Sequence, residues 1–230
     1  DVLSMLLLSR DADDRGGMAD RQVRDEAMTV MLAGHETTAN ALVWSFYLLG
    51  RHPEVRERME AELDAVLAGR VPTLEDLPSL PFTLQVLKES MRLYPPAYLL
   101  TRRALREVEI DGVRVQPGEL VVVNVLGMHR DARYFSEPGA FKPERFAPEL
   151  AEGLTKGAYL PFGGGPRVCI GNHFALMEGH ILLAHLAQHF RFEPRTQREA
   201  ALEGLITLRP KGGLPVRVRG REHTRGHVAE

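Results

Sequence analysis

The 230-residue chain is 44% hydrophobic and 26% charged, and 29 Lys and Arg nearly balance 31 Asp and Glu, leaving a formal net charge of −2. That size fits one large domain or two small ones, and the charge balance argues against nucleic acid or an anionic membrane surface as a partner. One cysteine, Cys169, excludes an internal disulfide framework and a multi-thiolate zinc site, and suits a reducing, cytoplasmic compartment.

Residues 2–8 are a short apolar run without a basic flank, unlike a secretory signal, and read as the last turns of a helix. A chain that opens on the end of an element is expected to be a fragment of a longer one. A polar Asp/Arg/Gly loop follows over 10–17. Asp20 is a candidate N-cap, and from it a helical pattern runs to about Gly50, roughly 45 Å at the usual rise. Apolar residues cover most of its circumference over 28–49, which predicts burial on several sides. The window has about the length of a membrane span, but His35, Glu36, Thr37, Thr38 and Asn40 interrupt it, so a buried helix is expected and no span.

The middle of this helix departs from its flanks. Ala33-Gly34-His35-Glu36-Thr37-Thr38 puts a glycine, an acid and two hydroxyls where core is expected. Gly34 alone costs about 1 kcal/mol relative to alanine, and a buried Glu36 needs a partner. Ala33 and Thr37 share a face at i, i+4, and the Thr37 hydroxyl can reach the Ala33 carbonyl and bend the helix. Two readings stand: a functional groove beside a hydroxyl and an acid, or a plain kink with Glu36 salt-bridged.

Pro53 starts the next helix, which ends near Gly69, and Thr73-x-x-Asp76 is a capping-box variant. A further helix over 82–94 stops at Pro95-Pro96 and carries Glu89-x-x-Arg92, a weak motif taken alone. Strand patterns follow. Val108 and Ile110, a turn at Asp111-Gly112, then Val113 and Val115 read as a tight hairpin. Pro117-Gly118 gives a second turn, and 120–125 is an apolar, β-branched run that reads as buried. Residues 130–160 have aromatics and prolines without a period, and such a coil needs something to hold it. A helix is expected over 171–189, and the segments 205–208 and 214–219 around Lys211-Gly-Gly213 read as a late hairpin. The pattern is mostly α with minor β.

Between coil and final helix lies Phe162-Gly-Gly-Gly-Pro-Arg-Val-Cys-Ile-Gly171. A phosphate cradle is one reading, but there is no G-K-[ST], and Val168 stands where G-x-G-x-x-G requires glycine. A cysteine hydrolase needs a nearby histidine, and His173 is the nearest in sequence. A metal-ligand reading explains more residues. A thiolate just before a helix is favoured by the dipole, and glycines allow backbone N–H groups close to the sulfur. One thiolate without a second protein ligand suits a haem iron, whose plane the porphyrin fills. Arg167 then suits a propionate.

The spacing F-x-x-G-x-R-x-C-x-G, carried by Phe162, Gly165, Arg167, Cys169 and Gly171, resembles the haem loop of the cytochrome P450 family. Ala33-Gly34-His35-Glu36-Thr37 resembles that family's oxygen-binding segment, and Glu89, Arg92 and Arg145 in Pro-Glu-Arg-Phe resemble its structural Glu-Arg-Arg triad. The resemblance extends over about residues 1–219. It implies the C-terminal part of the cytochrome P450 fold and a haem-thiolate monooxygenase. The cofactor would be haem b (iron protoporphyrin IX), with Cys169 as axial metal ligand. Arg102 and Arg167 would sit at the propionates, and Glu36 and Thr37 would form an acid–alcohol pair that delivers protons. Ala97, Tyr98, Leu99, Leu100 and Ile206 would line the substrate pocket.

The implied reaction inserts one oxygen atom of dioxygen into an apolar small molecule. The electrons would derive ultimately from NAD(P)H through a ferredoxin or flavoprotein reductase. The expected organisation is the end of an upstream helix and loop over 1–19, the haem-binding portion over 20–219 and a polar tail over 220–230. A peroxygenase is the alternative within the same chemistry, which the acid–alcohol pair disfavours. A haem-binding or inert fragment without catalysis is the alternative outside it.

Overall fold

The protein is described from a computed structural model covering residues 1–10 and 16–221. The expected 10–17 loop and 220–230 tail fall largely outside these described residues. Four helices come first: α1 (Val2–Leu8), α2 (Asp20–Arg51), α3 (Pro53–Leu67) and α4 (Pro81–Leu93), with a 3-10 turn at Leu74–Ser79 before α4. Strands β1 (Leu99–Arg103), β2 (Val108–Ile110), β3 (Val113–Val115) and β4 (Leu120–Asn124) follow, then α5 (Val125–His129) and α6 (Pro148–Ala151). The chain closes with α7 (Asn172–His189), β5 (Phe190–Pro194), β6 (Leu202–Gly204), β7 (Leu208–Pro210) and β8 (Val216–Gly220).

Helix α2 departs from expectation at both ends of its first half. Ala19 is the N-cap and makes no side-chain cap bond; Asp20 lies inside the first turn, where its charge meets the helix dipole. Burial over 28–49 is one-sided along the axis. Met28, Met31 and Leu32 are exposed, and apart from Val23 the buried residues all lie from Thr38 onward. The reason is packing: the core draws on Ala41, Leu42, Trp44, Tyr47, Leu48 and Leu49, against Met59 and Leu63 of α3, Val86 and Leu87 of α4 and Leu183 of α7. Gly179 of α7 permits one of these contacts, since a Cβ there would come within 3.0 Å of Leu87.

Among the described residues the sheets are four two-stranded antiparallel pairs: β1–β4, β2–β3, β5–β8 and β6–β7. The β2–β3 hairpin forms as expected, with Asp111 and Gly112 both at positive φ, 49° and 77°. The run 120–125 is not buried throughout. β4 has a single partner strand, so Leu120 and Val122 stay exposed, while Val125 at the start of α5 is fully buried. The late hairpin is also different. Gly212 and Gly213 turn the chain at positive φ, but the flanking strands diverge: β7 returns to β6 and β8 goes to β5. Two hairpin-like segments therefore belong to separate sheets, and Ile206 lies in the 205–207 turn between β6 and β7.

The coil after α5 is held by one buried ion pair. Glu89 and Arg92, one turn apart on α4, are both fully buried and joined by two bonds, Nε to Oε2 at 2.7 Å and Nη2 to Oε1 at 2.8 Å. Arg92 donates further to the carbonyls of His129 (2.7 Å), Pro138 (2.8 Å) and Ala140 (3.0 Å). Glu89 also accepts the Lys142 N–H at 2.9 Å and Arg145 Nε at 3.3 Å, while Arg145 Nη2 reaches the Glu137 carbonyl at 2.8 Å. Exposed, Glu-x-x-Arg contributes little; buried and fully hydrogen-bonded, it fixes a stretch that has no ladder of its own.

Candidate active site

The cysteine loop begins where this coil ends. Tyr159 donates to the Lys88 carbonyl of α4 at 2.9 Å, and the Leu160 N–H donates to His129 Nε2 at 2.8 Å. His129 is fully buried, stacks on Tyr159, and places Nδ1 3.2 Å from the Arg92 carbonyl. Burial pushes its pKa down to about 4, so the ring is neutral and can accept from Leu160. The loop then tightens through Gly163 N–H to Leu160 O at 3.1 Å and Val168 N–H to Gly165 O at 3.1 Å, with Gly163 and Gly165 at positive φ. Phe162 packs on the core, and its carbonyl accepts the Cys169 N–H at 3.0 Å.

Cys169 itself is exposed, one residue before the fully exposed Ile170, and Gly171 caps α7. A Cβ on Gly171 would stand 4.0 Å from Cys169 Sγ. No hydrogen bond from the glycine N–H groups to Cys169 Sγ is formed among the described residues; the Cys169 N–H itself goes to the Phe162 carbonyl.

The second half of the site is on α2. Thr37 Oγ1 donates to the Ala33 carbonyl at 2.8 Å, the i, i+4 bond expected there. Glu36 is not salt-bridged among the described residues; its partner is Thr207, whose hydroxyl donates to Oε1 at 2.6 Å and accepts Asn40 Nδ2 at 3.0 Å. Thr207 is next to Ile206, which is 91% exposed at the hairpin tip. Nothing lies within 4 Å of a Cβ built on Gly34, so α2 has open space at that position.

The segment 96–103 joins the halves. Its Pro96 carbonyl accepts the Leu208 N–H at 2.9 Å, and Tyr98 donates to the Leu205 carbonyl at 3.0 Å, tying it to the β6–β7 hairpin. Two residues on, Leu100 packs 3.5 Å from the Cβ position of Gly163 in the cysteine loop. Ala97 and Leu99 lie between these anchors. The Arg102 guanidinium bonds the neighbouring Thr101 carbonyl at 2.9 Å, and neither it nor Arg167 has an acidic partner among the described residues. The structure thus ties Glu36 and Tyr98, through Thr207 and Leu205, to the turn that carries Ile206, and brings Leu100 to the cysteine loop at Gly163.

The sequence reading passed over three groups. Thr207 gave no signal beyond its place beside Ile206, and His129 none at all. His185 and His189 are spaced one turn apart with ring centroids 4.9 Å apart, but no cluster of three His, Cys, Asp or Glu that could hold a metal ion occurs among the described residues.

A lone exposed thiol, a glycine loop, open space over Gly34 and two arginines without acidic partners fit a flat metal cofactor that brings its own in-plane ligands. The cytochrome P450 family model matches residues 1–216, and the chain belongs to that family. Cyclooctatin synthase of Streptomyces melanosporofaciens is 44% identical over 194 residues, 84% of this chain and 42% of that protein. Cyclooctat-9-en-7-ol 5-monooxygenase of the same organism is 41% identical over 194 residues, again 84% and 42%. The crystal structure of the cytochrome P450DA heme domain superposes with a TM-score of 0.90 at 30% identity, covering 98% of this chain and 50% of that one. The chain spans about half the length of the relatives it matches. No helix among the described residues is long and apolar enough to cross a membrane.

Proposed function

We propose that this chain provides the thiolate and proton-delivery parts of a haem monooxygenase acting on an apolar small molecule. Two electrons would come from a ferredoxin or flavoprotein reductase, drawn ultimately from NAD(P)H, in a cytoplasmic setting. A bound haem b would supply activation of dioxygen at its iron. The observation that carries the reading is the double anchoring of segment 96–103, to the α2 acid's hairpin at one end and to the cysteine loop at the other.

Cys169 Sγ would hold the iron, and Arg102 and Arg167 would pair with the propionates in bidentate, charge-assisted bonds. Glu89, Arg92 and Arg145 would be structural, delivering the loop. Thr37 Oγ1 would hold a proton for transfer, and the Glu36 carboxyl group, after taking up a proton from solvent, would pass one on to replace it. Thr37 now spends its proton on the Ala33 carbonyl, a bond it must give up to donate elsewhere. Leu100, Tyr98, Leu99, Ala97 and Ile206 would orient an apolar substrate and exclude water.

The reading is tested by the reduced, carbon-monoxide-bound spectrum of the haem-loaded full-length protein. A red-shifted Soret band that disappears in Cys169→Ala is expected; the same band in the variant would remove Cys169 as ligand. Thr37→Ala is expected to retain haem while less of the consumed reducing power appears as product. Unchanged coupling would end the proton-delivery role and favour the peroxygenase alternative.

A further inference from the structure

The acid on α2 is held by a residue that the reading above gives no task. Thr207 is buried, with 4% of its surface exposed, although its neighbour Ile206 is almost wholly exposed. Its hydroxyl bonds two partners of fixed sense. Asn40 Nδ2 has only protons to offer, so Thr207 Oγ1 must accept there, and its one proton goes to Glu36 Oε1 at 2.6 Å. The direction Asn40 to Thr207 to Glu36 is therefore set by chemistry. The other Glu36 oxygen has no partner among the described residues.

Thr207 is also the rigid side of this contact. The strand just after it is fixed by Leu208 N–H to Pro96 O at 2.9 Å and by Trp44 Nε1 to Leu208 O at 3.0 Å. The turn just before it is fixed by Tyr98 to Leu205 O at 3.0 Å. Gly204 lies so close to Tyr98 that a Cβ there would meet its hydroxyl at 2.7 Å. A flexible Glu36 side chain conforms to this hairpin, and not the reverse.

The geometry points to Thr207 as the positioning residue for Glu36. It pins one carboxylate oxygen, leaves the second without a partner among the described residues, and makes the acid's orientation depend on the hairpin that carries Ile206. The catalytic part of this inference rests on the proposed proton-delivery role of Glu36; the hydrogen-bonded latch does not.

The test uses the haem-loaded full-length protein with Thr207→Val, Thr207→Ser, Glu36→Gln and the Glu36→Gln/Thr207→Val double variant. Valine keeps the shape without the donor, and serine keeps the donor. Expected in Thr207→Val is about a tenfold fall in product per electron pair consumed, equivalent to about 1.4 kcal/mol. Substrate affinity from spin-state titration should stay within about twofold, because uniform binding is untouched. Serine should restore coupling, and valine should add nothing in the Glu36→Gln background. In crystal structures of the haem-loaded protein the Glu36 carboxylate should leave its place in Thr207→Val and keep it in Thr207→Ser, while the 202–210 backbone stays unchanged in both, because other bonds fix the hairpin.

Normal coupling in Thr207→Val beside collapsed coupling in Glu36→Gln would overturn the inference, as would additivity of the two. If Glu36→Gln itself couples normally, the proton-delivery reading falls. The latch is then judged on the Glu36 position alone: a carboxylate displaced in valine and restored by serine upholds it, and one that keeps its place in valine overturns it.

Discussion

His129 offers a sharp test of how the cysteine loop is held. Its Nε2 accepts the Leu160 N–H at 2.8 Å, so the ring proton is on Nδ1 and meets the Arg92 carbonyl 3.2 Å away. Protonating Nε2 would break the bond to Leu160 and bury a charge beside Arg92, itself fully buried. The native pKa of about 4 lies below an unfolded value of about 6.5, and burial is the main cause. The sign follows: between these values the unfolded chain binds the proton and the native state does not. Stability is complete above about pH 6.5, declines as pH falls, and is fully lost only below about pH 4.

From pH 7.5 to 4.5 the loss attributable to this one group is about 2.5 kcal/mol. For a protein of this size that is about 5–10 °C in unfolding midpoint. His129→Phe keeps an aromatic ring on Tyr159 but cannot titrate. It should begin about 2 kcal/mol less stable at pH 7.5, from two orphaned backbone groups. Urea unfolding followed by circular dichroism at pH 7.5, 6.5, 5.5 and 4.5 reads both effects. The variant's curve should be flatter by about 2.5 kcal/mol over the range, since other titrating groups contribute equally to both proteins. Parallel curves would refute the neutral, buried histidine.

Arg92→Ala should cost about 3–5 kcal/mol, because Glu89 remains buried and three carbonyls of the coil lose their donor. A thermal scan showing less than about 1 kcal/mol would mean the coil is held otherwise. Gly50→Ala should cost about 1–3 kcal/mol, since its Cβ would meet the Phe192 carbonyl at 2.8 Å and Pro194 at 2.7 Å, neither free to yield. Gly34→Ala should do the opposite to the apoprotein, raising stability by up to about 1 kcal/mol because its Cβ meets nothing, while weakening haem uptake. Equal effects of the two glycine changes on the apoprotein midpoint would show that local packing does not govern either position.

Much of the fold was legible because local chemistry wrote it. Pro53 begins a helix, and Thr73 with Asp76 forms the capping box. Asp111-Gly112 makes the tight hairpin. Misreadings arose where a partner distant in sequence decides. The segments around Lys211-Gly-Gly213 have strand composition, but nothing local indicates that β8 pairs with β5 across α7's end, or that β7 folds back on β6. The apolar circumference of α2 likewise gave the helix and not its burial, since composition is uniform along a stretch that the core contacts only from Ala41 on.

The site divides in the same way. Short-range patterns were enough to single out Cys169, Arg167, Glu36 and Thr37, because a thiolate on a glycine loop and an acid–hydroxyl pair inside an apolar helix violate the rules of their surroundings. Sequence alone thus nominated the side chains proposed for chemistry. Only the tertiary structure decided what holds them: Thr207 on Glu36 from 171 residues away, Arg92 under the coil from 37 to 48 residues away, and His129 at the root of the loop. Those supports are hydrogen bonds and buried charges between ordinary residues, and their worth comes from desolvation, which exists only once the chain has closed around them.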